Sequence, residues 1–197
     1  MLIELDARGL NCPKPVINAK KELDKIDNGI VIVKVDNYIA KENIFKLSNS
    51  LNCEAKILKD EIDLIEIEIK KGNSYTTEKK QDIILQDKCI FISSDKIGKG
   101  SDELGEVLIK GYIYTLTEAK PYPKYIVFVN SGVKLTSKNK DTIENLKILE
   151  KSGVEILSCG TCLDYYNLKD NLEVGSITNM YTIVDIMNNS SQTISIQ

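Results

Sequence analysis

The segment Leu64-Ile65-Glu66-Ile67-Glu68-Ile69 alternates apolar and charged residues without a break. A strict period of two fits an extended strand with one face on a core and the other in water, and it fits no helix. The run Ile30-Val31-Ile32-Val33-Lys34-Val35 is almost wholly β-branched and reads as a buried strand. Helical spacing covers Pro13 to Ile26, through Val16, Ile17, Ala19, Lys20 and Leu23, and Ala40 to Leu51, with Ile44, Leu47 and Leu51 on one face. Leu2 to Leu5 and Glu54 to Leu58 supply two more strands, and Asp60-Glu61-Ile62-Asp63 reads as a hairpin turn. The order β-α-β-α-β-β predicts a two-layer sandwich, four strands under two helices.

The pattern then changes. KGNSYTTEKKQ, from Lys71, is polar and turn-rich and reads as a linker. Beyond it, strands at Cys89 to Ile92, Tyr125 to Val129 and Val154 to Leu157 alternate with helices at Ser101 to Ala119 and Asp141 to Lys151. Pro121-Tyr122-Pro123 reads as a turn, and a helix near Met180 to Met187 precedes a last strand at Thr193 to Ile196. Strand and helix in alternation predict a three-layer parallel α/β domain. The expected organisation is a first domain over residues 1–71, a linker over 72–87 and a second domain over 88–197. The 197 residues suffice for two small cores.

Chemistry is narrowed by what is missing. The chain has no histidine, which removes Ser-His and Cys-His catalysis and the commonest zinc ligand. It has five cysteines, an odd number, at positions 12, 53, 89, 159 and 162. MLIELDARGL lacks the basic and then apolar pattern of a secretory signal, and no run approaches the ~18 apolar residues of a membrane span. Reduced thiols in the cytoplasm are therefore expected. Charge is mildly acidic, -3, with no basic block, which argues against a nucleic-acid partner.

Among the thiols, Cys12 has the most informative neighbours. Pro13 suits the first position of a helix, where a missing N–H costs nothing. Cys12 is then expected at the N-cap, its sulfur near unsatisfied amides that favour a thiolate or persulfide anion. Lys14 and Arg8 are placed to add positive potential. A second candidate site is Cys159-Gly160-Thr161-Cys162, directly after a predicted strand, where ligands gather in an open parallel sheet. Such a pair can form a local redox disulfide. Without histidine or another pair it is a weak zinc signal, so no metal is expected.

The arrangement LDARGLNCPKP, with Cys12-Pro13-Lys14-Pro15 at its end, resembles the TusA/SirA family of small sulfur carriers over about the first 70 residues. That resemblance implies that Cys12 accepts a persulfide sulfur and passes it on. The second half resembles the DsrE/DsrF-like fold, whose members include sulfur-relay subunits and commonly assemble, which implies a homo-oligomer. The two in tandem, with SCGTCLDYYNL and VGSITNMY, resemble the YedF proteins associated with selenium metabolism. The resemblance implies a sulfurtransferase-like carrier of sulfur or selenium, without organic cofactor, acting between a donor such as a cysteine desulfurase and a downstream acceptor. Cys159 and Cys162 then receive or release the cargo. Two alternatives stand beside it: a regulatory or scaffold partner of such an enzyme, and a thiol-disulfide oxidoreductase at Cys159 and Cys162. The loop Gly98-Lys99-Gly100-Ser101 has neither Walker A nor dinucleotide-binding spacing and reads as a plain strand-to-helix loop. Cys53, Cys89, Tyr165 and Tyr166 read as packing residues.

Overall fold

The computed structural model describes residues 1–72 and 85–197. The chain divides into two compact units, Met1–Lys80 and Gln81–Gln197. The polar segment expected as a linker lies mostly outside the described residues.

In the first unit, strands β1 (Leu2–Asp6), β2 (Gly29–Val35), β3 (Glu54–Glu61) and β4 (Leu64–Lys71) form one sheet in the order β1-β2-β4-β3. Helices α1 (Lys14–Asp24) and α2 (Tyr38–Ser50) connect β1 to β2 and β2 to β3. The antiparallel register of β2 on β4 sets Val31 against Ile69, Val33 against Ile67 and Val35 against Ile65. All six are buried, together with Ala19, Leu23, Ala40 and Ile44 of the helices. The opposite face carries Lys34 between Glu4 and Glu66, its Nζ 3.0 Å and 3.9 Å from their carboxylates. The 30–35 run, expected to be buried throughout, is buried only at alternate residues, because the helices cover one face of the sheet. The hairpin turn shrinks to Ile62-Asp63, with β3 extended to Glu61.

The second unit holds five strands: β5 (Leu85–Ile92), β6 (Tyr122–Phe128), β7 (Glu155–Cys159), β8 (Ser176–Thr178) and β9 (Gln192–Ile196). They pair in parallel in the order β8-β7-β6-β5-β9. Helices α3 (Asp102–Leu116), α4 (Lys140–Lys151), α5 (Gly160–Tyr165) and α6 (Met180–Asn189) connect them, with a 3₁₀ helix at Asn130–Thr136 after β6. Strand residues alternate between two cores. Ile90, Ile92, Ile126, Phe128 and Ile156 meet Ile109 and Ile113 of α3 and Leu146 and Leu149 of α4. Cys89, Val127, Val129, Leu157 and Cys159 meet Ile183 and Ile186 of α6. Both faces are covered, as all-parallel sheets require.

Two readings need correction. Residues 85–87, assigned to the linker, open β5. The expected turn at Pro121–Pro123 is partly strand, since β6 begins at Tyr122. Pro123 lies ahead of the β6–β7 register, which starts at Tyr125, and beside an irregularity in the β5–β6 ladder, so its missing N–H is tolerated. β8 is three residues long, too short to show a period of two.

Candidate functional site

β1 and β2 run parallel, so the chain leaves both at the same sheet edge and enters α1 and α2 there. Cys12 is on that edge, exposed, two residues before α1. The N-cap is Pro13, not Cys12, and it makes no side-chain capping bond. The prediction erred by one residue for a definable reason. Pro13 and Pro15 both fit where no N–H is needed, and it is Pro15 that occupies the first turn. The Lys14 N–H donates to the Asn11 carbonyl at 2.9 Å and Pro15 has none, which leaves Val16 as the first-turn amide on this side.

Arg8 is engaged within its own loop. Its guanidinium grips Asp6, with Nη2 to Oδ2 at 2.6 Å and Nε to Oδ1 at 2.9 Å. The hydrogen bonds from Arg8 hold the Asp6 carboxyl well below the usual range, at about 2. Gly9, at φ +71°, donates its N–H to Asp36 at 2.6 Å, which ties the loop before Cys12 to the end of β2. That bond, with a second from Asn37, lowers the Asp36 carboxyl. Asn37 also caps α2, its Oδ1 accepting from the Ala40 N–H at 2.8 Å. Cys12 lines a cavity of about 170 Å³ between the two helix starts, with Pro15, Val16, Ile39 and Asn43 among its walls.

The second thiol site is at the carboxyl edge of the parallel sheet. Cys159 ends β7 at the N-cap position of α5, without a side-chain capping bond; it is 3% exposed. Cys162, on α5, is half-buried, and its Sγ accepts a hydrogen bond from the Asn130 N–H at 3.0 Å. Burial pushes the Cys162 thiol up, the Asn130 N–H pulls it down, and the Cys159 thiol beside it adds to the rise; the net direction is up. The structure therefore brings Cys159 and Cys162 together. Cys12 belongs to the first unit and the pair to the second.

Around Cys162 are residues that sequence reasoning missed. The Tyr166 hydroxyl donates to Asn130 Oδ1 at 3.0 Å. The Lys134 ammonium lies 5.1 Å from the Tyr166 ring centroid and 2.9 Å from the Asp95 carboxylate. Burial acts to raise Asp95, but hydrogen bonds with Lys134 and Ser131 outweigh it and lower the carboxyl. One signal was available: Ser93-Ser94-Asp95 and Asn130-Ser131-Gly132 are polar triplets that directly follow apolar strands, where a parallel sheet builds its sites. Tyr166, read as packing, is a hydrogen-bond donor here. Cys53 and Cys89 are buried in the two units, as packing residues should be.

Gly98 spends its N–H on the Gln197 carbonyl at 2.8 Å and Ser101 caps α3, so the glycine loop is a structural connection. Among the described residues no cluster of potential ligands could hold a metal ion. No helix among them is long and apolar enough to cross a membrane.

Residues 3–71 match the family model described as sulfurtransferase TusA, and residues 112–196 match that of the DsrE/DsrF-like family. The chain is thus a TusA-type domain followed by a DsrE/DsrF-like domain, both of families tied to sulfur transfer. Solved structures resemble it in part. A SirA-like protein from Desulfitobacterium hafniense is 36% identical over 36% of this chain and 99% of its own, with a TM-score of 0.34. The ychN protein from E. coli is 14% identical over 57% of this chain and all of its own, with a TM-score of 0.44. A conserved protein of unknown function from Bacteroides thetaiotaomicron is 16% identical over 56% of this chain and 95% of its own, with a TM-score of 0.42. No curated protein matches the chain.

Proposed function

We propose that this protein is a sulfurtransferase-type carrier whose first domain, residues 1–71, takes up sulfane sulfur on Cys12. The observation that carries the reading is an exposed cysteine ahead of a proline-started helix, beside a cavity of about 170 Å³, inside a TusA-type domain. The Cys12 thiolate attacks the terminal sulfur of a donor persulfide, such as that of a cysteine desulfurase. One S–S bond forms as another breaks, the donor leaves as a thiolate, and no oxidant is consumed. The Cys12 persulfide then passes its sulfur, by the same exchange, to a thiol of the second domain or to a downstream acceptor.

Cys159 and Cys162 serve as that second station. Attack of one thiol on the persulfide of the other releases hydrosulfide and leaves a disulfide, which a dithiol reductant resets. The tandem order of domains supports a YedF-type protein, acting in the cytoplasm as a homo-oligomer, with selenium as the alternative cargo. Neither metal nor organic cofactor enters this chemistry. The test is to incubate the protein with a cysteine desulfurase and cysteine and to weigh it intact. A gain of about 32 Da per sulfur is expected at Cys12 and lost in Cys12→Ala. No gain in the wild type, or an equal gain in the variant, refutes the assignment.

The proximity of Cys159 and Cys162 also supports a second reading, a thiol-disulfide oxidoreductase. That reading requires a reversible disulfide whose turnover is indifferent to Cys12→Ala.

A further inference from the structure

The second domain offers two thiols, and their surroundings are unequal. Cys159 is buried, with its backbone shared between the end of β7 and the start of α5. Cys162 is half-exposed, and a backbone N–H points at its sulfur from the neighbouring strand end, 3.0 Å away. That N–H belongs to Asn130, whose backbone is left-handed at φ +50°, a conformation Asn tolerates better than most residues.

Several contacts hold Asn130 in place. Its side-chain Oδ1 accepts the Tyr166 hydroxyl at 3.0 Å, bridging the strand end to the residue that caps α5. Two residues on, Gly132 has no room for a Cβ, which would stand 2.6 Å from the Ile92 carbonyl oxygen. Thr136, at the far end of the same 3₁₀ helix, bonds Ser158 at 2.9 Å, directly before Cys159. The donor and the sulfur are therefore fixed on one scaffold.

We propose that the Asn130 N–H is the sulfur-stabilising donor of the second domain, that Tyr166 is the positioning residue holding it, and that Cys162 is the thiol that bears sulfur there. A persulfide or thiolate at Cys162 gains a charge-assisted hydrogen bond that Cys159 lacks the exposure to use. Cys159, behind it, is the thiol placed to attack the inner sulfur of a Cys162 persulfide: the Cys159–Cys162 disulfide forms as the outer S–S bond breaks, hydrosulfide leaves, and a dithiol reductant restores both thiols. Titratable groups linked to Cys162 or its donor are Cys159 on β7, Tyr166 after α5, Lys134 on the 3₁₀ helix and Asp95 after β5, and α5 itself carries Asp164, paired with Lys169. From α6 the residues in that cluster are Ile183, Ile186 and Met187, all apolar. Lys134 is occupied by Asp95 and lies over the Tyr166 ring, so the uncharged amide is the donor in direct contact with the sulfur.

The inference rests on the carrier reading only for the identity of the cargo; its geometry can be tested without sulfur. The rate at which iodoacetamide labels Cys162 in the full-length protein, resolved by peptide mass spectrometry, is followed against pH. Tyr166→Phe removes the hydroxyl, and Asn130→Gly keeps the N–H and the positive φ but removes Oδ1. Each is expected to raise the Cys162 midpoint by about half to one pH unit, a roughly three- to tenfold loss of labelling near neutral pH. The double variant should lose no more than either single one, because both break the same contact. Tyr165→Phe, at a side chain 79% exposed to solvent, should leave the profile unchanged. Unaltered profiles in both variants, or labelling of Cys159 ahead of Cys162, overturns the proposal. Altered profiles in a protein that takes no sulfur at Cys12 would uphold the Cys162 geometry and refute the carrier reading instead.

Discussion

Cys89 and Cys162 are both thiols whose protonated form the fold favours, and burial is the leading cause in each. Cys89 is fully buried inside β5, and burial pushes its thiol up to about 11 from an ordinary 9.0. The folded chain thus keeps a proton that the unfolded chain gives up. The stabilisation is complete below the unfolded value and is lost as pH rises through the folded one. Stability to urea should therefore fall by about 2–3 kcal/mol between about pH 9 and 11, and the slope should flatten in Cys89→Ala. A wild-type curve level across that window would refute the attribution. Cys53 and Cys162 are shifted in the same direction and add to the same slope. The burial of Cys89 was legible, as a packing cysteine in an apolar strand; the hydrogen bond at Cys162 was not. The sequence marked Cys162 as a candidate through C-x-x-C spacing, but its donor lies 32 positions away at Asn130.

At the scale of elements, the 3₁₀ helix Asn130–Thr136 matters most to the second site, because it carries Asn130 and Lys134. Its anchorage to β7 is a buried hydroxyl pair. The single Thr136 proton goes to the Val133 carbonyl at 2.9 Å, so in the 2.9 Å contact between the hydroxyls Ser158 is the donor. Thr136→Val strands the fully buried Ser158 hydroxyl and should cost about 1–3 kcal/mol; Ser158→Ala leaves Thr136 bonded and should cost about 1 kcal/mol or less. Equal losses in denaturant unfolding would contradict that direction of donation. The long elements were legible because period is a local property: Leu64 to Ile69 announced β4. The 3₁₀ helix and β8 were missed, since three to seven residues held by partners far along the chain show no period of their own. The start of α1 slipped by one because two prolines both satisfy the rules for a helix beginning, and the Asn11–Lys14 turn chose between them.

At the scale of the whole molecule, each unit has a complete sheet and its own core. Fragments 1–72 and 85–197 should each unfold cooperatively when made separately, as followed by circular dichroism, and the first should still take sulfur on Cys12. A first fragment without a transition would show that its core is insufficient alone. The sequence by itself determined the two α/β domains, the order of their major elements and the two places where thiols meet sheet edges. Those follow from period, β-branching and proline position, all written in neighbouring residues. Only the tertiary structure decided which groups address those thiols. Arg8 turned to Asp6, while an amide from the 3₁₀ helix after β6 reached Cys162. Such pairings depend on strand register and on the left-handed turn at Asn130, and neither has a local signature.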